Sequence, residues 1–441
     1  MAVWSEVKYS ALFPGVDLSA EHYHPHKLDS LRFLTRAGRP VSSVVRPISE
    51  LLIPKENDDT PVLDLGAANN HVVQAADAQA EDRVSTKKVV QAGDVLISRL
   101  RSYLKQVAVV PPEVPKAYVS TEFIVLRGAN DTHIAFLLPF FLSSHVQTIL
   151  AWSQDGNEHP RFNETVLLSL TIPSTIEAMA EKLNALVGQA ADDYARGRNA
   201  FSNAEAMLMS AIGLDKLDLT PRLTYERTFK HVSDAGRLDA EYHNPRAQNL
   251  IAALSRHHKT IANVAPLATR RFKPKPGVEF QYVEISDVGG SGTAESAPVM
   301  GEEAPSRAQW IVQAGDVITT TVRPIRRLSA IVTDDQAGYV CSSGFAVLKP
   351  THIEPELLLV YLRLPLVCEL LDLHTTASMY PAISTTDLMR IPISLPDAAT
   401  RKRIVAAVRE SFAARREARR LLDEAKALVE KAIVPANGGK Q

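Results

Sequence analysis

The chain has 441 residues, 45% of them hydrophobic and 22% charged, with a formal net charge of −1. Those are the proportions of an ordinary globular protein of two or three domains, and they exclude a collagen-like or extensively disordered chain. Without an overall positive charge, any nucleic-acid surface has to be a local basic patch.

Met1 to Ser10 shows no charged-then-apolar signal pattern. The longest apolar run, Ile134 to Leu142, contains Pro139 and falls short of the ~18 residues of a membrane span. Cys341 and Cys368 form neither a disulfide framework nor a metal motif, so a reducing, cytoplasmic compartment is expected. The pattern predicts a short helix over Pro25 to Ala37, a linker over Ile53 to Pro61, and a strand and turn over Val62 to Asn70. Val89-Val90 then leads to a Gly93-Asp94 turn and a strand over Val95 to Ser98. Further strands are expected over Lys105 to Val110 and Val119 to Leu126. A helical stretch, His133 to Trp152, is followed by the polar loop Ser153 to Pro160.

Pro173, with Ser174 as N-cap, opens a long helix that runs to about Ile212 and is closed by Gly213. Its apolar seam is Ile176, Ala180, Leu183, Val187, Ala190, Tyr194, Gly197, Phe201, Ala204, Leu208 and Ala211. Alternating steps of three and four are the signature of a helix that supercoils on a partner. At ~1.5 Å per residue it spans on the order of 55 Å, and it cannot bury that seam against itself. The expected partner is the last helix, Asp397 to about Ile433. There Val405, Val408, Phe412, Leu422, Val429 and Ile433 keep a similar period, interrupted by Arg415, Arg419 and Lys426.

The most informative feature is an internal repeat, offset by about 220 residues. Leu18-Ser-Ala-Glu-His-Tyr-His-Pro25 resembles Leu238-Asp-Ala-Glu-Tyr-His-Asn-Pro245. Gln91-Ala-Gly-Asp-Val95 recurs as Gln313-Ala-Gly-Asp-Val317. Arg101 falls on Arg323, Lys105 on Arg327, and Phe123-Ile-Val-Leu-Arg127 on Phe345-Ala-Val-Leu-Lys349. Pro160 leads Ile172-Pro173 as Pro381 leads Leu395-Pro396. Several matches in one order are expected from two homologous globular domains, each followed by a long helix, joined through Thr220 to Gly236.

The repeat also weighs candidate chemistry. Val62-Leu-Asp-Leu-Gly-Ala-Ala-Asn-Asn70 resembles the glycine-rich turn of an S-adenosylmethionine enzyme, but it has only Gly66 where close cofactor approach needs several glycines. Its counterpart, Tyr282 to Val288, is a plain strand and turn. His22, His24 and His26 fall on Tyr242, Asn244 and Arg246, a repeat that discards every potential metal ligand. No nucleophile–base spacing stands out.

Basic clusters are the stronger signal. Lys87, Lys88, Arg99, Arg101 and Lys105 lie together in the first half, with Ser98 and Tyr103 among them. The second half has Thr320, Thr321, Arg323, Arg326 and Arg327, and a separate run containing Arg270, Arg271, Lys273 and Lys275. Guanidinium groups clamp phosphates or pair with guanine edges, and hydroxyls serve phosphate. Any one such run is ordinarily a solvated face, but clusters at equivalent repeat positions favour DNA. The polar loop with Asn157 and Arg161, and its counterpart Thr375 to Tyr380, could read bases on the same face or cap the long helices.

With the repeat and helices in place, the sequence resembles the specificity (S) subunit of type I restriction–modification systems. The residues that carry the resemblance are Gly93 to Ser98 with Arg99 and Arg101, Tyr118 to Phe123, and Pro160-Arg-Phe-Asn163 to Pro173. In the second half they are Gly315-Asp316, Tyr339 to Phe345, and Tyr380-Pro-Ala-Ile-Ser384 to Pro396. One departure is that the second Gly-Asp strand continues as Ile318-Thr-Thr-Thr321.

The resemblance implies an α+β fold with a pseudo-two-fold repeat and two α/β target recognition domains, residues 1–173 and 214–396 with its linker. Helices over 174–213 and 397–434 would form an antiparallel coiled coil, with a tail over 435–441. It further implies a non-catalytic chain that reads a bipartite double-stranded DNA site, one domain per half-site. Half-sites one helical turn apart are ~34–36 Å apart, within reach of such helices. The partners implied are two methyltransferase (modification) subunits, which carry S-adenosylmethionine and flip the target adenine, and restriction subunits that use ATP and Mg. Competing readings are a self-contained DNA methyltransferase or nuclease, and an assembly scaffold that does not bind DNA.

Overall fold

The computed structural model describes residues 4–7, 20–35, 37–55, 58–73, 85–156, 158–376 and 379–434. The chain divides into two compact units, residues 1–196 with 414–441, and residues 197–413.

In the first unit α1 (Pro25–Leu34) is followed by β1 (Gly38–Pro40), β2 (Val45–Pro47), β3 (Leu51–Leu52) and β4 (Val62–Leu63). Then come β5 (Lys87–Gln91), β6 (Val95–Ser98), β7 (Val107–Val109), β8 (Lys116–Ser120) and β9 (Phe123–Gly128). After α2 (Leu137–Phe141) and α3 (Ser144–Ala151), a hairpin of β10 (Gln154–Asp155) and β11 (Arg161–Phe162) leads to α4 (Glu164–Ser169) and β12 (Thr171–Pro173). The strands form sheets ordered β2-β9-β6-β7 and β3-β5-β8-β4, with β1 paired to β12.

Strand β6 shows why these residues make a sheet buried on both faces. Its side chains alternate, so Val95 and Ile97 enter one core and Leu96 the other. The first core also takes Phe140, Phe141, Ile149 and Leu150 of α2 and α3. The turn before β6 has Gly93 at φ 87°, a left-handed conformation that favours glycine. Asp94 behind it is fully buried. It accepts the Gln91 backbone N–H at 2.8 Å and both Nε and Nη2 of Arg127 at 2.7 Å.

Two expectations change in detail. The predicted strand Val119 to Leu126 is two strands in different sheets, broken at a turn through Glu122. The helical stretch His133 to Trp152 is α2 and α3, restarted by Ser143, whose side chain accepts from Val146 N. Strand β4 continues into a 3-10 turn capped by Asp64, as expected of a structural strand.

The second unit repeats much of this order. It contains α7 (Phe229–Ala235), α8 (Ala240–His243), α9 (Pro245–Leu254), α10 (Ile261–Val264), and β13 (Glu279–Val283) to β14 (Ala297–Met300) and β15 (Ala308–Ile311). Next are β16 (Val317–Thr320), β17 (Ser329–Ile331), β18 (Val340–Ser342), β19 (Phe345–Leu348), α11 (Pro355–Arg363) and α12 (Pro365–Leu373). A hairpin of β20 (Thr375–Thr376) and β21 (Ala382–Ile383) precedes α13 (Thr385–Arg390). The sheets are ordered β14-β13-β18-β15 and β17-β16-β19. Val317 and Ile318 again divide between two cores.

The Asp-Ala-Glu-Tyr motif holds the helix end that launches this hairpin. Arg237 pairs with Asp239, lies 4.4 Å from the Tyr242 ring, and donates to the Leu373 carbonyl at 3.0 Å. In the first unit His24 stacks on Trp152 at 3.6 Å, and Lys27 donates to the Trp152 carbonyl at 3.3 Å.

A short helix, α5 (Ser174–Glu177), precedes the long α6 (Ala180–Ala211), and the last helix is α14 (Ala398–Ile433). Pro173 rather than Ser174 occupies the cap of α5, and no side chain bonds there. Gly213 has φ 73°, as the expected terminator requires. Within the first unit α6 and α14 run antiparallel. Thr175 Oγ1, in α5, reaches the Ala432 carbonyl at 3.3 Å, and Tyr194 meets Arg419.

The seam of α6 is the predicted one except at its ends: Ala211 is exposed and Ala180 half-buried, and Ile212 takes the last place. The seam of α14 includes the predicted Val408, Leu422, Val429 and Ile433, but lies one residue earlier than expected at the places between them. Ile404 is buried where Val405 was predicted, and Ala414, Ala418 and Ala425 fill the places that Arg415, Arg419 and Lys426 were expected to interrupt. Asp397 caps α14, accepting from Ala399 N at 2.9 Å and Thr400 N at 3.0 Å.

Candidate nucleic-acid interface

Each unit carries a loop at the end of its Gly-Asp strand, and the two loops are built by the same backbone bonds. In the first, Arg101 N donates to Pro160 O at 3.0 Å, Lys105 N to Ser102 O at 2.8 Å, and Ser98 N to Gln106 O at 2.9 Å. In the second, Arg323 N donates to Pro381 O at 2.8 Å, Arg327 N to Pro324 O at 2.9 Å, and Thr320 N to Leu328 O at 3.0 Å. A 3-10 turn lies between the basic residues in both, Ser102–Leu104 and Pro324–Arg326.

The basic residues sit in a conformation that non-glycine residues seldom adopt. Arg101 and Lys105 have φ 50°, Arg323 has φ 49° and Arg327 φ 60°. Such left-handed positions cost about 1 kcal/mol or more each and persist where the surroundings impose them, commonly at ligand-binding loops. Here the neighbouring hairpin anchors Arg101 and Arg323 through the Pro160 and Pro381 carbonyls, while Lys105 and Arg327 close the 3-10 turn on Ser102 O and Pro324 O.

At the tips lie groups suited to a nucleic acid. Tyr103 is 64% exposed, and Lys105 is exposed beside it. In the second unit Arg326 is exposed, Tyr380 is 68% exposed, and the Arg323 guanidinium lies 5.4 Å from the Tyr380 ring. Arg323 Nη2 also donates to the Met379 carbonyl at 3.2 Å. Tyr380 belongs to the polar loop expected to share this face.

In the first unit Arg99 and Arg161 converge on Glu122. Arg161 gives Nη2 to Oε1 at 2.7 Å and Nε to Oε2 at 3.0 Å, and Arg99 gives Nε to Oε2 at 3.2 Å. The Arg161 bonds, then that of Arg99, hold the Glu122 carboxyl below the usual range against the opposing effect of partial burial. Nothing in the local sequence announced Glu122. The one signal was its alignment with Gly344, which marks a turn.

Several residues expected to contact DNA make internal hydrogen bonds in the structure. Lys88 is buried and its Nζ donates to the Phe123 carbonyl at 3.0 Å. Lys87 is also buried and donates to Ser85 Oγ at 2.8 Å. Ser98 donates to the Leu100 carbonyl at 3.1 Å, Thr320 to Val322 O at 2.9 Å, and Thr321 to Gly344 O at 3.0 Å. Arg327 gives its Nε to the Arg363 carbonyl at 2.6 Å and pairs with Glu205, so it ties α11 and α6 to the loop.

Arg271 and Lys273 are exposed but lie along β15, where Arg271 lies 5.0 Å from the Trp310 ring. They belong to the four-stranded sheet rather than to the loop after β16. Asn157 falls outside the described residues.

Among the described residues no group of three or more His, Cys, Asp or Glu side chains could hold a metal ion, and no helix is long and apolar enough to cross a membrane. No protein-family model and no curated protein matches the sequence. Among solved structures the chain is similar to the HsdS subunit from Thermoanaerobacter tengcongensis, at 20% identity over 91% of this chain and 97% of that one, with a TM-score of 0.31. It is also similar to the type I restriction–modification S subunit from M. genitalium, at 11% identity over 90% and 95% of the two chains, with a TM-score of 0.40. A third match is a chain from a study of complex assembly and conformational transition of the type I R-M system. It has 19% identity over 90% and 97%, and a TM-score of 0.31.

Proposed function

We propose that this chain is the DNA-specificity subunit of a type I restriction–modification complex. Residues 1–173 and 214–396 serve as homologous target recognition domains related by a pseudo-two-fold repeat, each reading one half of a bipartite double-stranded site. The helices over 174–213 and 397–434 serve as the spacer between them. The observation that supports this best is the twofold occurrence of one loop, with basic residues in left-handed conformation and an exposed tyrosine close by, at matching places in the two units.

In this reading the chain is not an enzyme. Two methyltransferase subunits supply S-adenosylmethionine chemistry, and restriction subunits supply ATP- and Mg-dependent cleavage. This chain's own residues bind, orient and discriminate DNA.

The test is DNA binding by the assembled complex as a function of salt, with Arg101→Ala and Arg323→Ala. A lost phosphate contact lowers affinity about evenly across sequences and reduces the log–log salt slope by roughly one. Unchanged affinity and slope in both variants would contradict the assignment of these loops to DNA.

A further inference from the structure

Arg99 differs from the other basic residues in how it is held. Glu122 takes only its Nε, and among the described residues the Nη1 and Nη2 edge has no acceptor. Arg161, by contrast, has Nε and Nη2 on the carboxylate and Nη1 on the His159 carbonyl at 3.1 Å. Arg99 is 43% exposed and Glu122 only 20%. The three residues come from the end of β6, the β8–β9 turn and β11, so the cluster is fixed by three separate strands.

A guanidinium is a rigid planar fork. A carboxylate on Nε sets its plane and leaves the two Nη groups as parallel donors, which match O6 and N7 of guanine in the major groove. A phosphate also accepts such a pair, but it rewards charge, and a lysine can satisfy it.

The second unit lacks this device. Thr321 N donates to Gly344 O at 2.8 Å as Arg99 N does to Glu122 O at 3.0 Å. Ile383 N donates to Thr321 O as Phe162 N does to Arg99 O. The places of Arg99, Glu122 and Arg161 are therefore held by Thr321, Gly344 and Ala382.

We propose that Arg99 reads a guanine in one half-site, that Glu122, itself braced by Arg161, is its positioning residue, and that the second unit makes no equivalent guanine contact. This deepens the specificity-subunit reading and rests on it.

The test replaces the chromosomal gene, in the cell that carries it, with Arg99→Lys, Glu122→Gln or a deletion, and maps N6-methyladenine by single-molecule sequencing. Deletion is expected to remove a bipartite motif. Arg99→Lys, which keeps the charge and loses the fork, is expected to relax one guanine position in one half-site, with discrimination falling about tenfold to a hundredfold. Glu122→Gln is expected to relax the same position, and both leave the other half-site strict. A merely structural Glu122 would lower methylation evenly at all positions.

Strict retention of every position in Arg99→Lys overturns the guanine contact, and strict retention in Glu122→Gln overturns the positioning role. If Glu122→Gln fails to accumulate, Arg99→Lys decides. If deletion leaves the methylome unchanged, the parent reading fails. If only the variants are silent, the parent reading stands and the guanine contact alone fails.

Discussion

Asp94 is the most exacting test of how the strand and loop around β6 are supported. Its carboxylate is fully buried behind the Gly93 turn, holding two Arg127 nitrogens at 2.7 Å and the Gln91 N–H. The Arg127 side chain is only 20% exposed. Asp94→Ala leaves that guanidinium without its partner, and breaking a buried pair from one side costs about 3–5 kcal/mol. Against a total stability of ~5–15 kcal/mol, that is a large fraction. The double change Asp94→Leu with Arg127→Met removes both charges and should lose markedly less, because no buried charge is orphaned.

The assay is urea unfolding of the full chain followed by tryptophan fluorescence in a Trp310→Phe background, so that Trp4 and Trp152 report on the first unit. A loss below about 1 kcal/mol for Asp94→Ala would refute the reasoning. Equal losses in the single and double variants would refute it too, by placing the effect on packing rather than on the orphaned charge.

Asp316 occupies the matching turn but is held differently. Burial pushes its carboxyl up, opposed by the Gln313 N–H and by Arg270. A folded value above the unfolded one means that the acid form favours the fold, and this contribution is lost as pH rises through the folded value. Asp316→Asn is therefore expected to be tolerated at neutral pH better than Asp94→Asn, and to steepen the loss of stability on the acid side, because the variant lacks the favourable protonation. Arg327→Ala should destabilise the second unit measurably in urea, whereas Lys105→Ala, exposed at the matching position, should stay within ~0.5 kcal/mol. Burial pushes the Cys341 and Cys368 thiols up to about 12, so neither should react with an aromatic disulfide reagent at pH 8 until the chain unfolds.

The repeat and the α6 seam were legible because they are properties of order and period. The α14 seam was legible at Val408, Leu422, Val429 and Ile433 and off by one residue between them, because buried alanines carry little hydrophobic signal. Val405 outweighs Ala414 and Ala418 in any sequence scale, although the alanines are the buried residues and Phe412 is only partly buried against the second core. The clustering of basic residues was legible, but not their use. Whether Lys88 meets solvent or the Phe123 carbonyl, and whether Arg327 meets DNA or Glu205, depends on contacts between residues far apart in sequence. The Glu122 fork was invisible for the same reason. Three strands bring its members together, and no local spacing encodes that meeting.

The most direct measurement is the N6-methyladenine map of the cell that carries this gene, with the gene present, deleted and restored. One bipartite motif should vanish on deletion and return on restoration. A map unchanged by deletion, in a cell that expresses the partner methyltransferase, would contradict the assignment of this chain to DNA specificity.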